Sequence, residues 1–73
     1  MKELEKTLRK EFNWVVWDLD RTIQEDGALG ATKTLINVLW EQYYMQSPAF
    51  PQSQILGAIG ALEGLLRKYE SNA

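Results

Sequence analysis

Apolar residues recur with a helical period in three stretches of the chain, and two turn-rich stretches separate them. In the first stretch, Leu4, Leu8, Phe12, Val15, Leu19 and Ile23 follow one another at steps of four, four, three, four and four. That spacing traces one face of a 3.6-residue period. Val16 widens the stripe, and Lys alternates with Glu or Asp on the remaining faces. The pattern predicts one long helix over residues 2–25, with Glu5 and Arg9 as a favourable i,i+4 pair. The second stretch predicts a helix over 31–46. Its rows Leu35, Leu39, Tyr43 and Ile36, Trp40, Tyr44, with Val38, make a wide apolar arc in which only Lys33 and Glu41 are charged. The third predicts a helix over 53–70, with Ser53 as N-cap. Its bulky stripe is Ile55, Ile59, Leu62, Leu66 and Tyr69, with Leu65 and Ala58 beside it. Arg67 and Lys68 fall in the last turn, where the helix dipole favours cations. The stretches Glu25–Gly30 and Gln46–Ser53 supply the breakers between these helices.

Short connections favour antiparallel neighbours. The expected fold is therefore all-α, one domain over 1–73, either a three-helix bundle or a helical hairpin with the third helix laid across it. At 73 residues one domain is the ceiling, and a core of that size is marginal alone. With no Cys and no His, neither a disulfide nor a Cys/His metal site is open to it, and no cofactor or metal is expected. The remaining staple is self-association or a partner, so a dimer or higher oligomer is expected. Hydrophobic residues at 45% against 25% charged exclude intrinsic disorder.

Charge narrows the partners. Ten Asp+Glu outnumber eight Lys+Arg, so the basic stripe of a nucleic-acid binder is missing. Residues 1–26 hold five basic and seven acidic residues, and residues 27–73 hold three of each. The first helix is thus expected to be the solvated one, and the other two to be buried on more than one side. No apolar run reaches the length of a membrane span. The start, Met1-Lys2-Glu3-Leu4-Glu5-Lys6, reads as a charged helix and not a signal peptide. The lack of cysteine fits a cytoplasmic location.

One segment looks like chemistry. Val15-Val16-Trp17-Asp18-Leu19-Asp20-Arg21-Thr22-Ile23 resembles the first motif of the haloacid dehalogenase-like hydrolases, hydrophobic residues followed by Asp-x-Asp-x-Thr. The resemblance implies Asp18 as nucleophile and Asp20 as general acid/base, both at the end of a strand. Three features oppose it. The acidic residues after Asp26 are Glu41, Glu63 and Glu70, never adjacent as the family's metal-binding pair requires. The chain is too short for the family's sheet. On a helix, Asp18 and Asp20 point about 200° apart. The acidic alternation from Asp18 to Asp26 also lacks the central glycine and the bidentate Glu of a calcium loop. The chain is therefore read as having no catalytic residue and no enzymatic activity.

Three features look like binding. Trp14 and Trp17 fall off the core stripe of the predicted first helix, and Trp is a preferred interface anchor. The competing arrangements fold one indole over the third helix or stack Trp17 on Arg21. Trp14, Trp17, Asp18, Asp20 and Arg21 are the candidate partner-binding residues, with Glu25 and Asp26 adding acidic character. Gly57, Gly60, Ala61 and Gly64 form a small-residue stripe opposite the bulky face of the third helix. Each mid-helix glycine costs about 1 kcal/mol relative to Ala, which points to close approach of another backbone, either that of a second copy or that of the first or second helix of the same chain. With Trp40 and Tyr44 they are the candidate oligomer interface. The edge of Trp40, Tyr43, Tyr44, Met45, Phe50 and Pro51 suits either an adaptable surface or, as favoured here, a plug in which Phe50 closes the end of the bundle.

The expected function is a small interaction protein that binds and blocks or regulates another macromolecule, a host protein foremost. In size and charge it is similar to inhibitors and regulators encoded by phages and other mobile elements. Its acidic face suits a basic partner surface. The alternative is an oligomer that encloses a nucleotide-like small molecule between glycine faces and aromatic edge, with only Lys33, Arg67 and Lys68 to meet a phosphate.

Overall fold

The computed structural model describes residues 2–46 and 49–71. Three elements follow in chain order: α1 Lys2–Glu11, α2 Leu19–Tyr44 and α3 Gln52–Glu70. Among the described residues all regular structure is helical. Ser47 and Pro48, in the second predicted turn, lie outside the described residues, as do Met1, Asn72 and Ala73.

The long helix expected over 2–25 is instead two elements. α1 stops at Glu11, and residues 12–18 form a turn closed by the Val15 amide on the Phe12 carbonyl at 3.1 Å. Asn13 and the run Val15-Val16-Trp17 are weak helix formers, because branched and aromatic side chains lose rotamer freedom against the preceding turn. The chain then doubles back. In one straight helix Arg9 and Asp20 would lie about 16 Å apart along the axis; here Arg9 Nε donates to Asp20 Oδ1 at 2.6 Å. The hydrophobic register survives the reversal. Leu4, Leu8, Phe12, Val15, Leu19 and Ile23 are all buried. Each such side chain contributes roughly 1.5–3 kcal/mol on burial. Closing the stripe on itself therefore outweighs the intrahelical hydrogen bonds lost in one turn, each worth about 1 kcal/mol net.

The first predicted turn, over 25–30, shrinks to a single residue. α2 runs through it, broken only at Gly27, whose backbone stands at φ 76°, ψ 171°. That conformation is essentially restricted to glycine. Gly30, predicted as loop, is helical, and a Cβ there would come within 2.9 Å of Asp26 Cβ. Both glycines therefore serve the break, one by its φ and one by its bareness. Beyond it, Ala28, Ala31, Thr32, Leu35 and Leu39 are buried, and the Thr32 hydroxyl is satisfied by the Ala28 carbonyl at 2.8 Å. α2 ends at Tyr44, two residues earlier than expected, with Gln46 in the left-handed region at φ 52°. Left-handed residues commonly follow helix ends. The Oε1 of Gln42 is buried without a hydrogen-bond partner among the described residues, a local penalty of about 1–3 kcal/mol.

α3 starts one residue before its predicted boundary. Its N-cap is Pro51, not Ser53, which sits inside the first turn. Pro51 is extended, at ψ 145°, and its carbonyl accepts from the Gln54 and Ile55 amides, both at 3.1 Å. Ile55, Ala58, Ile59 and Leu62 are buried against the core of α2, while Leu65 and Tyr69 pack at its margin. Lys33 near the start of the second half of α2 pairs with Glu70 at the end of α3 at 3.3 Å, so the two helices run antiparallel. No helix of the described residues is long and apolar enough to cross a membrane.

Gly27→Ala is expected to destabilise the chain by about 1–3 kcal/mol through backbone strain, because nothing obstructs the added methyl. Urea denaturation followed by circular dichroism measures it.

Candidate interaction site at the α1–α2 turn

The turn of residues 12–18 presents its two tryptophans differently. Trp14 is half-buried. Its indole N–H donates to the Glu11 carbonyl at 2.9 Å, which satisfies an acceptor left open by the end of α1. Its ring meets Phe50 edge-on at 4.8 Å. Trp14 thus locks the α1–α2 turn to the segment that leads into α3, and Phe50 closes this end of the core. Trp17 is 96% exposed. Arg21 does not stack on it; Arg21 Nε donates to Glu25 Oε1 at 2.9 Å.

Asp18 is the N-cap of α2, at φ −124° and ψ 61°, yet its carboxylate makes no capping hydrogen bond. Only its carbonyl is used, accepting from the Thr22 amide and hydroxyl at 3.2 Å each. Among the described residues its carboxylate has no ion-pair partner either. Asp20 is spent on Arg9, which also reaches Glu5 at 3.5 Å. The hydrogen bond Arg9 donates to Asp20, with the charges of Asp20 and Glu5, pushes the Arg9 pKa up from its ordinary value. A cavity of about 230 Å³ opens here, lined by Arg9, Asn13, Val16, Trp17, Asp18, Leu19 and Asp20. Beyond the Arg9–Asp20 pair lies a second hollow of about 330 Å³, bordered by Glu5, Ile23, Gln24, Gly27 and Ala28.

This geometry corrects one expectation. Asp18 and Asp20 were placed about 200° apart by a helical period, but the helix begins only at Leu19, and both residues border the same cavity. The strand end that the dehalogenase-like resemblance implies is absent: the motif occupies a turn and the first turns of α2. No group of three or more acidic residues able to hold a metal ion occurs among the described residues.

The other candidate residues lie elsewhere. Gly57, Gly60 and Ala61 are exposed and Gly64 is half-buried. A Cβ at Gly57, Gly60 or Gly64 would meet nothing within 4 Å, so packing inside this chain does not require these glycines. The expected burial of α3 on more than one side is therefore not met within one chain. Trp40 stacks on Tyr44 with ring centres 5.7 Å apart and meets Tyr43 edge-on at the same distance. Tyr44 and Met45 remain 75% and 79% exposed. The pattern did not reveal Arg9 and Asn13 as site residues. Their signal is the reversal itself, which brings residues eleven apart in sequence into contact.

Compared with known proteins, the chain matches no family model, no curated protein and no solved structure. Its functional reading rests on the chemistry of these surfaces.

The two tryptophans should separate in stability measurements. Trp14→Ala is expected to cost about 2 kcal/mol, below the range for full burial, whereas Trp17→Ala should stay within about 0.5 kcal/mol of the parent. Paired urea melts test the contrast.

Proposed function

We propose that this chain is a small non-enzymatic interaction protein that binds and blocks or regulates another macromolecule through the α1–α2 turn. The exposure of Trp17 carries the reading. Its indole stands on a turn fixed from two sides, by Trp14 on Phe50 and by Arg9 on Asp20. A rigid aromatic presented in this way loses little conformational entropy on binding, the property that makes Trp an interface anchor. Placing a photo-crosslinking amino acid at exposed Asn13 tests the proposal. The expected result is a discrete crosslinked partner in the parent that disappears in Trp17→Ala and in Asp18→Ala/Asp20→Ala. Unchanged crosslinking in those variants would sink it.

A separate observation supports self-association of the same protein through α3. The outer face of α3 carries Leu56, Gly57, Gly60, Ala61 and Gly64, an apolar small-residue surface without a charged side chain among these positions. Two copies packed antiparallel through this face would approach closely in a two-fold contact. No charged residue lies between Glu41 and Glu63 to oppose it, and Leu56 is 43% exposed beside the small face. Light scattering on a sizing column should show a dimer that Gly60→Leu converts to monomer, a Cβ at this exposed position meeting nothing within 4 Å. A monomer at every concentration of the parent overturns this second reading.

A further inference from the structure

We infer that Trp17 and Asp18 form a receptor for a cationic side chain, an arginine or lysine in an exposed basic segment of a partner protein. The inference rests on the reading of the α1–α2 turn as the partner-binding surface. A carboxylate at an N-cap ordinarily accepts from the first amides of its helix. Asp18 does not, and it has no salt bridge among the described residues. Charge-assisted donors are what such an acceptor lacks.

The surrounding charges favour a cation over an anion, with Asp18 the acidic group not engaged in an ion pair among the described residues. Of the charged residues lining the two hollows, Glu5, Asp18 and Asp20 are acidic and Arg9 alone is basic. Arg9 is held between Asp20 at 2.6 Å and Glu5 at 3.5 Å, so it offers an incoming phosphate or carboxylate little. Arg21 is likewise committed to Glu25. The exposed Trp17 ring borders the same cavity as Asp18. A guanidinium or ammonium seated there meets a carboxylate and an indole face together, and the two attractions act on the same charge. The second hollow lies on the other side of the Arg9–Asp20 pair, close enough for a neighbouring residue of the same segment to reach.

The test uses three probes at low salt: a short synthetic peptide of alternating Arg and Gly, its Glu–Gly counterpart, and N-acetyl-argininamide. Binding is read from amide and indole N–H signals in nuclear magnetic resonance and from calorimetry. The Arg–Gly peptide should shift the Trp17 indole and Asp18 amide signals, and the Glu–Gly peptide should not. N-acetyl-argininamide should shift the same signals with weaker affinity. Trp17→Ala and Asp18→Asn should each weaken the peptide at least about fivefold, the scale of one cation–π or charged hydrogen-bond contact, while Glu63→Gln, at an exposed position on α3, should leave it unchanged. Both Trp17→Ala and Asp18→Asn preserve the fold, since the indole is exposed and Asn caps helices as well as Asp. A Trp17 signal unmoved by the Arg–Gly peptide, or affinity unaltered in Asp18→Asn, overturns the receptor. If Trp17→Ala abolishes partner crosslinking and the peptide has no effect, the surface stands and only its cationic preference falls. A peptide response with unchanged crosslinking means the reverse.

Discussion

Everything in this fold turns on the backbone of Gly27. At φ 76° and ψ 171° it stops one helix and starts another without a loop. Leu19 and Ile23 before it, and Leu35 and Leu39 after it, are all buried in one core with α1 and α3. A 73-residue chain has too little apolar surface to build two cores. The break lets the N-terminal stripe and the α2–α3 pair share one. The absence of a side chain at Gly30, where Asp26 crowds close, belongs to the same constraint.

The second reversal, at residues 12–18, follows from that core and in turn creates the candidate site. Phe12, Val15 and Leu19 point inward from the turn as they would from a helix, so Trp17 and Asp18 are left facing outward. Trp14 holds the turn against Phe50, and Arg9 bridges to Asp20 across the fold-back. Stability and presentation thus come from different residues of one short segment. Trp14 and Arg9 fix the geometry, and among the described residues the side chains of Trp17 and Asp18 make no hydrogen bond or ion pair. The exposed ion pairs here act mainly by position, because such pairs contribute only about 0–1 kcal/mol.

α3 shows the same separation in a regular helix. Its bulky residues complete the core, while Gly57 and Gly60 are exposed and Gly64 is half-buried with nothing near its missing Cβ. Three glycines in a helix interior each sacrifice about 1 kcal/mol against Ala, and the space around them shows that folding of one chain does not call for it. The proposed contact between two copies through this face would supply a reason outside the single chain.

The apolar period alone determined the helical class and much of the core, though Ala28, Ala31 and Thr32 joined it unannounced while Ile36, Trp40, Tyr43, Leu66 and Tyr69 of the predicted stripes are only partly buried and Tyr44 is exposed. Every residue of the N-terminal stripe from Leu4 to Ile23 is buried, as are Leu35, Leu39, Ile55, Ile59 and Leu62. Burial follows from the spacing of apolar side chains, and that spacing is local information. Where the chain reverses was not legible. A stripe at steps of three and four is satisfied by one straight helix or by a helix, a turn and a helix with the same residues inward. The choice depends on whether the stripe can close on itself, which is a tertiary quantity. For the same reason Trp17 was recognised as lying off the core, while the pairing of Arg9 with Asp20 and the unpartnered state of Asp18 were not. The breaker residues from Glu25 to Gly30 announced an interruption, but only the packing of α1 against α2 reduced it to the φ of one glycine.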